Sequence, residues 1–236
     1  MILTGNEVYG GNLVLVNRAN MYRREAELPL AAVGTAMLNV EAAYMLGKLL
    51  RDIGGEEEIT AVSGWRSVAE QRRLWESSLN DNGAEFTEKY VALPLHSEHH
   101  TALAIDLGKK ADSIDFIRPD FPDDGVCGKF RQAAAGYGFI LRYPKGKEQI
   151  TGIAHEPWHF RYVGVPHAEI MTERGFVLEE YTAFLKKHIY GENPLLWGDY
   201  EISFLKSCGG SVNIPDSYGV SGNNEDGLIL TGRNSE

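Results

Sequence analysis

The chain has 236 residues, 43% of them hydrophobic and 24% charged, which suits one enzyme-sized soluble domain or a domain with a small appendage. Its net charge of −10 argues against nucleic acid as a partner, because phosphate binding needs a basic surface. Cys127 and Cys208 form no CxxC pair or disulfide framework, and no apolar run is long enough for a signal peptide or a membrane span. These features predict a soluble, cytoplasmic protein.

Apolar periodicity and turn residues predict the elements of the fold. In chain order they are a strand over 12–17, a helix over 36–53, a strand over 58–63, a helix over 68–79, a turn at 80–83, strands over 101–107, 139–143 and 159–163 with a helix over 125–135 among them, helices over 166–174 and 178–188, and strands over 200–206 and 228–231. Ser67 and Glu70 form a capping box at the start of the helix over 68–79.

Strands and helices are mixed without regular βαβ alternation, which favours an α+β fold. After Gly191 the chain becomes rich in Gly, Ser and Asn. We therefore predict a main domain over residues 1–190 and a small C-terminal β appendage over residues 191–236.

Five of the seven histidines lie in two short stretches, and the second of these, His155-Glu156-x-x-His159, formally matches the HExxH zinc-protease signature. That signature needs a helix, and Pro157 inside it would cost about 3 kcal/mol or more in mid-helix. In an extended segment the two histidines lie about 13 Å apart, too far to bind one zinc ion. This stretch is therefore expected to supply one ligand only.

The first stretch, which contains His99 and Asp106, is the expected source of the other ligands. Asp106 lies between two apolar residues of a predicted strand, where an unpaired carboxylate would be costly and a metal ion would relieve that cost. The alternative is that Asp106 caps a turn with Gly108 and that the histidines are solvated or hydrogen-bonded. The combination of histidines, Asp106 and Glu156 favours a metal site.

Three motifs in this order resemble the zinc D,D-peptidases of the VanX/VanY type, and most of all their soluble, bifunctional VanXY group. The family patterns are S-G-Y-R-S with a Gln shortly after, S-x-H-x-x-G-x-A-x-D, and E-x-W-H. Here they read Ser63-Gly64-Trp65-Arg66-Ser67 with Gln71, Ser97-x-His99-x-x-Ala102-x-Ala104-x-Asp106, and Glu156-Pro157-Trp158-His159. The resemblance extends over about residues 8–190, and the tail around residues 221–227 is also similar.

The resemblance implies a hedgehog or D,D-peptidase type of fold, with a central, mostly antiparallel sheet flanked by helices, and one Zn²⁺ per chain. By motif position it implies His99, Asp106 and His159 as zinc ligands, Glu156 as general base, Arg66 as the residue that stabilises the oxyanion, and Ser97 and Gln71 as residues that hold the terminal carboxylate of the substrate.

Two departures from the family patterns stand beside these residues. Ala102 replaces a glycine, so a positive φ there would strain the backbone by about 1 kcal/mol. Trp65 replaces a tyrosine and removes a hydroxyl next to Arg66.

The implied activity is hydrolysis of D-Ala-D-Ala dipeptide, removal of the terminal D-Ala from peptidoglycan precursor pentapeptide, or both, which would deplete the target of vancomycin-type antibiotics. The alternatives are an L,D-carboxypeptidase acting on cell-wall tetrapeptide, and a catalytically inactive zinc- or peptide-binding module of the same fold. Glu156 and Arg66 favour an enzyme, because a binding module needs no base. Loops over 80–95 and 114–125 are expected to set the substrate preference, and the sequence leaves open whether the chain is a monomer or a homodimer.

Overall fold

A computed structural model describes residues 1–3, 6–23, 27–207 and 211–233 of the chain. The α-helices in these ranges, α1 to α7, are Val40–Ile53, Val68–Asn82, Ala84–Tyr90, Gly125–Ala133, Glu148–Thr151, His167–Arg174 and Leu178–Leu185. The strands in these ranges, β1 to β12, are Ile2–Leu3, Leu30–Val33, Ala36–Asn39, Ile59–Ser63, Ala104–Lys109, Phe139–Tyr143, Glu156–Tyr162, Leu195–Trp197, Tyr200–Lys206, Val212–Asn213, Gly219–Gly222 and Gly227–Arg233. Short 3-10 helices span Asn6–Tyr9, Glu98–Thr101 and Ala134–Tyr137.

The central sheet has the strand order β4-β5-β7-β6, and each neighbouring pair is antiparallel. Ile105, Leu107 and Phe160 from this sheet lie in one buried apolar cluster with Leu46 of α1 and Phe130 of α4. Full burial of side chains of this size contributes about 1.5–3 kcal/mol each. The predicted α+β fold with a central antiparallel sheet and flanking helices is confirmed, and its core fixes the strands that carry the site.

Helix α1 begins four residues later than predicted, because residues 36–39 pair with β2 as strand β3. The side chain of Asn39 accepts a hydrogen bond from the Glu41 N–H, so it caps the helix at Val40. The helix ends where the sequence predicts, at Gly54, whose φ of 69° is the left-handed conformation that glycine adopts without strain.

The predicted strand over 12–17 is wrong. Leu13 to Val16 are buried, but their segment pairs with no strand and follows an irregular course. Side chains satisfy part of its backbone instead: Ser221 Oγ accepts from the Leu13 N–H, and Asn224 Nδ2 donates to the Leu15 carbonyl. Buried backbone groups need partners, and here they find them outside a strand ladder.

The predicted turn over 80–83 is also wrong, since α2 continues to Asn82 and Gly83 leads directly into α3. A buried hydrogen bond between Ser78 Oγ and Thr87 Oγ1, 2.7 Å long, joins the two helices. The other predicted elements are present with ends shifted by a few residues, such as β5 from Ala104 and β7 from Glu156.

The second sheet has the antiparallel order β11-β12-β9-β8, and it confirms the predicted strands over 200–206 and 228–231. Its Ile202, Phe204 and Ile229 share a buried apolar cluster with residues of α6 and α7 and with Leu13 and Leu15. The division of the chain into residues 1–190 and 191–236 stays a prediction.

Cys127 is buried and carries a free thiol, and Cys208 lies outside the described residues. None of the helices in the described ranges has the length and apolar character needed to cross a membrane.

Candidate active site

Three buried side chains from neighbouring elements meet in a compact cluster. Asp106 of β5 lies opposite His159 of β7, and opposite residues of an antiparallel pair point to the same face. His99 comes from the 3-10 helix that precedes β5. His99 Nε2 lies 3.1 Å from Asp106 Oδ2, and His159 Nδ1 lies 2.8 Å from Asp106 Oδ1. Each residue offers one ligand atom, and these atoms lie within 4.8 Å of one another.

The loop after β4 orients His99. The Nδ1–H of His99 donates to the Gly64 carbonyl at 2.7 Å, so Nε2 keeps its lone pair on the side of Asp106. A Cβ at Gly64 would collide with the carbonyl oxygen of Met37, which also accepts a hydrogen bond from the Trp65 N–H at 2.6 Å. Glycine is therefore required for this loop to lie against β3 and present its carbonyl to His99.

The turn between His99 and β5 contains a left-handed residue, Ala102, with φ 59° and ψ 18°. The positive φ considered from the sequence is thus present, and a non-glycine residue in this conformation costs about 1–2 kcal/mol. The Asn39 N–H donates to the Ala102 carbonyl at 2.7 Å and helps to hold the turn. The alanine leaves His99 and Asp106 in contact, so it does not prevent the cluster from forming.

Glu156 reaches the same site through an irregularity in β7. Residues three apart on a regular strand point to opposite faces, because side chains alternate. Here the register between β6 and β7 shifts between Leu141 and Tyr143, and Pro157 lies in the irregular stretch, where an inner strand tolerates proline. As a result, Glu156 Oε2 lies 3.6 Å from His159 Nδ1 although the two residues are three apart.

The sequence predicts that the HExxH-like stretch is not helical, and this is confirmed, since residues 156–162 form a strand. His155 lies just before that strand, where its Nδ1 donates to the Tyr143 carbonyl at 2.9 Å, and it takes no part in the metal-ligand cluster. His100 also lies apart from the ligands. Its Nδ1–H donates to the Arg66 carbonyl at 2.7 Å, so it helps to hold the loop that carries Arg66.

Arg66 is held by two neighbours in a fixed orientation. Its Nη1 donates to Gln71 Oε1 at 2.7 Å, and its Nη2 donates to Ser63 Oγ at 2.6 Å. Gln71 is buried, and its Nε2 donates in turn to the Ala92 carbonyl at 2.7 Å. The predicted capping box of Ser67 is confirmed and fixes the start of α2, from which Gln71 projects. The side-chain amide of Gln71 is thus engaged within the protein, where it braces the guanidinium of Arg66.

Burial and charge together shift the pKa values of the cluster. Burial raises the pKa of Glu156 to about 8, with His159 opposing this shift and Asp106 adding to it. Burial alone would lower the pKa of His159, but the Asp106 carboxylate raises it to about 9. Burial would likewise raise the pKa of Asp106, yet His99 and His159 hold it well below its usual range. A cation bound here would favour the deprotonated forms of both Glu156 and His159.

Every site residue predicted from the sequence lines one cleft. These residues are Arg66, Gln71, Ser97, His99, Asp106, Glu156 and His159. Ser97 also caps the 3-10 helix, since its Oγ accepts from the His99 N–H at 3.4 Å. Tyr90 and Val91 from one predicted specificity segment, and Phe116 and Ile117 from the other, form part of the lining.

The sequence did not predict a buried charged group next to the cluster. Glu98 Oε1 accepts from Arg142 Nε at 2.7 Å and from Arg161 Nη1 at 2.8 Å, and all three side chains are fully buried. The ring of Tyr143 packs on His159 with centroids 4.8 Å apart. The sequence contains one indication of this group. Each of the apolar strands β6 and β7 contains an arginine, and a buried charge requires a partner.

The donor set fits a divalent metal. Two imidazoles and one carboxylate, with room for a water molecule, are the ligands of a catalytic zinc site. The fit rests on the convergence of the three ligand atoms, on the backbone hydrogen bond that directs His99 Nε2 toward Asp106, and on the burial of all three residues.

Comparison with known proteins identifies the family of the chain. Residues 35–165 match the family model VanY, described as D-alanyl-D-alanine carboxypeptidase. The chain is 43% identical over 183 residues to the bifunctional D-Ala-D-Ala dipeptidase and D-Ala-D-Ala carboxypeptidase VanXYC of Enterococcus gallinarum, in an alignment that covers 75% of this chain and 96% of the relative.

Solved structures extend the likeness to the whole chain. The vancomycin-resistance D,D-dipeptidase VanXYg, solved with a D-Ala-D-Ala phosphinate analog, matches with a TM-score of 0.96 and 45% identity over 99% of this chain and 98% of that one. A mutant of the vancomycin-resistance D,D-pentapeptidase VanY, solved in complex with Zn(II), matches with a TM-score of 0.60 and 26% identity over 72% of this chain and 98% of that one.

Proposed function

The chain belongs to the VanY family of D-alanyl-D-alanine carboxypeptidases, and we propose that it is a zinc D,D-peptidase that hydrolyses D-Ala-D-Ala dipeptide, the terminal D-Ala of precursor pentapeptide, or both. The observation that carries the proposal is a single cleft in which the His99–Asp106–His159 cluster lies beside the carboxylate of Glu156, 3.6 Å from His159 Nδ1. Relatives that act on D-Ala-D-Ala support the choice of substrate.

We propose His99, Asp106 and His159 as the ligands of one Zn²⁺ per chain. A related protein was solved with Zn(II), and two imidazoles with one carboxylate are a common zinc donor set. Zinc held there would supply Lewis-acid polarisation of the scissile carbonyl and a bound water of lowered pKa.

Glu156 is proposed as the general base and acid. In its deprotonated form the carboxylate takes a proton from the attacking water and then delivers it to the leaving amine of the terminal D-Ala. Burial on the wall of the cleft places this carboxylate in a poorly solvated environment, where it is a stronger base than in water. Glu156 Oε2 lies 3.6 Å from His159 Nδ1, so the base is next to the ligand cluster.

Arg66 is proposed to stabilise the negative oxygen that develops on the carbonyl during attack. Its guanidinium is fixed by Ser63 and Gln71 before substrate binds, so little reorganisation is needed when charge develops. Ser97 lines the cleft and is proposed to bind the terminal carboxylate of the substrate. Gln71 is proposed to help bind the same carboxylate, in part by holding Arg66 in place.

All of these residues lie within 1–190, so we propose this part of the chain as the catalytic domain and residues 191–236 as a C-terminal β appendage packed on it. Removal of terminal D-Ala would deplete the target of vancomycin-type antibiotics, and we propose resistance to them as the biological role, in line with the named roles of the relatives.

The proposal is tested by measuring the zinc content of the purified protein together with its release of D-Ala from three peptides: D-Ala-D-Ala, precursor pentapeptide and cell-wall tetrapeptide. We expect release from the first, the second or both, loss of release on chelation, and recovery when zinc is restored. Release from tetrapeptide alone would establish the L,D-carboxypeptidase alternative. Stoichiometric zinc without hydrolysis of any of the three would establish the inactive binding module.

A further inference from the structure

The buried carboxylate of Glu98 lies next to the proposed metal site, among the residues that line the cleft, and takes no part in the mechanism above. It follows Ser97 and precedes His99 in the chain, and it is 1% exposed. Arg142 Nε and Arg161 Nη1 both donate to its Oε1, at 2.7 and 2.8 Å. One oxygen of Glu98 is thus fully engaged by two buried guanidinium groups.

The other oxygen faces His159. Among the described residues, Glu98 Oε2 and His159 Nε2 are both buried polar atoms without a hydrogen-bond partner. They lie 3.8 Å apart. Buried polar atoms rarely stay unpaired, because each loses its hydrogen bonds to water. A small approach of the two groups would pair both atoms in one N–H···O hydrogen bond.

We propose, on the basis of the proposed zinc site, that Glu98 is a positioning residue that keeps a proton on His159 Nε2 and thereby leaves Nδ1 as the metal-binding nitrogen. Nδ1 is the nitrogen that faces Asp106 Oδ1, at 2.8 Å, and it is also the nitrogen nearest to Glu156. A carboxylate that accepts from the outer nitrogen of a metal-bound histidine fixes both its tautomer and its ring orientation.

The two arginines prevent Glu98 from turning away from His159. Arg161 Nη2 donates to the carbonyls of Asn12 and Val14, each at 2.9 Å, so its guanidinium is anchored in the irregular segment before α1. Arg142 is anchored at its other end by Glu179, with Nη1 and Nη2 at 2.9 and 2.7 Å from the two carboxylate oxygens. With Oε1 held by these donors, Oε2 stays directed at the imidazole.

This arrangement makes Glu98→Gln a sharp test. Both arginines donate, so the carbonyl oxygen of a glutamine must face them and its NH₂ must face His159 Nε2. That NH₂ can only donate, and it therefore favours the opposite tautomer, in which Nε2 accepts and Nδ1 carries the proton. The variant keeps the size and shape of the side chain. It reverses the direction of the hydrogen bond at Nε2 and so favours a proton on Nδ1, the metal-binding nitrogen.

Glu179→Gln is the matched control. Glu179 bonds the far end of Arg142 and, within the described part of the chain, forms no hydrogen bond or ion pair with His159. This change therefore weakens the same buried charge group without reversing the hydrogen bond at Nε2. Zinc affinity is measured by competition with a chromogenic chelator, and thermal unfolding of the metal-free proteins reports the stability of each variant.

We expect Glu98→Gln to weaken zinc binding by roughly 10–100-fold, as for other partners of metal-bound histidines, and Glu179→Gln to stay within about twofold of the wild type while its melting temperature falls. Wild-type zinc affinity in folded Glu98→Gln, or an equal loss in both variants, would overturn the proposal.

A second measurement needs no variant. Long-range ¹H–¹⁵N spectra of the zinc-loaded wild type are expected to show the proton of the His159 ring on Nε2, and a proton on Nδ1 would overturn the proposal even if Glu98→Gln does not fold. A wild-type protein that binds no zinc would instead overturn the proposed function, which is a different result.

Discussion

Asp106 and His159 face each other across β5 and β7, with Oδ1 and Nδ1 2.8 Å apart. Their contact is set by the register of two inner strands, and a slip of one residue would turn one of the two side chains to the opposite face of the sheet. The core that fixes this register includes Ile105 and Phe160, which form the adjacent pair of the same ladder, and it therefore also fixes the geometry of the metal site.

Asp106→Asn is expected to abolish high-affinity zinc binding. An amide removes the negative charge that draws a cation to the cluster, so the loss should exceed the roughly 10–100-fold that follows from losing an outer partner of a ligand. Zinc retained after gel filtration measures the effect. Asp115→Asn, an exposed carboxylate that accepts from the Ile117 and Arg118 N–H groups, is the control and should retain zinc. Full zinc retention by Asp106→Asn would refute the ligand assignment.

Gly64→Ala is expected to weaken both the fold and the metal site. The added Cβ would meet the Met37 carbonyl, and overpacking of this kind typically costs about 1–3 kcal/mol. The shifted loop would also move the carbonyl that orients His99, so zinc affinity should fall as well. Urea unfolding and zinc competition measure the two effects. Gly136→Ala, where a Cβ meets no atom within 4 Å, should change neither quantity; equal behaviour of the two variants would argue against the proposed role of Gly64.

Arg66→Lys is expected to lower kcat by about 10²–10³-fold while zinc content stays stoichiometric. Lysine keeps the positive charge but cannot contact Ser63 and Gln71 through a planar fork, so the charge is no longer held where the oxyanion develops. Steady-state kinetics of D-Ala release measure the effect. Arg72→Lys, an exposed change on α2, is the control. An unchanged kcat in Arg66→Lys would remove Arg66 from the mechanism.

Acid is expected to loosen the contact between α6, α7 and the C-terminal sheet through His167. Burial lowers the pKa of His167 to about 4, and its ring bonds Tyr181 on one side and Thr231 of β12 on the other. The unfolded chain takes up this proton below a pH of about 6.5, whereas the folded chain does so only near 4, so stability is lost as the pH falls through that window. The full loss is about 3 kcal/mol, from 2.5 pKa units at 1.36 kcal/mol each.

Urea unfolding at pH 7.5 and at pH 5.0 tests this expectation. Between these pH values the wild type should lose about 2 kcal/mol more than His167→Gln, whose amide carries no titrating proton. An identical pH dependence of the two proteins would show that His167 does not contribute to acid sensitivity.

The residue types of the site could be predicted from the sequence because metal and proton chemistry restrict them strongly. His99, Asp106, His159 and Glu156 lie in short motifs. Pro157 in the second motif excluded a helical HExxH site, and the strand at residues 156–162 agrees with that exclusion. The pairing of β5 with β7 could not be predicted, since strand order depends on the packing of the whole sheet.

Other features depend on contacts that are distant in sequence. Glu98 resembles a surface charge next to His99, and only Arg142 and Arg161, 44 and 63 residues away, make its burial tolerable. The segment over 12–17 has the composition of a strand, but its partners are side chains 208 and 209 residues away, in the C-terminal sheet region. Local periodicity carries no information on such partners.

The proposed mechanism depends on Glu156 as the proton-transfer group beside a zinc ion held by His99, Asp106 and His159. Glu156→Gln tests it most directly, with zinc content and D-Ala release measured on the same sample and Glu173→Gln, an exposed change on α6, as the control. We predict one zinc per chain in both variants and a fall of about 10²–10⁴-fold in D-Ala release in Glu156→Gln alone. Release at the wild-type rate by zinc-loaded Glu156→Gln would show that Glu156 is not the proton-transfer group.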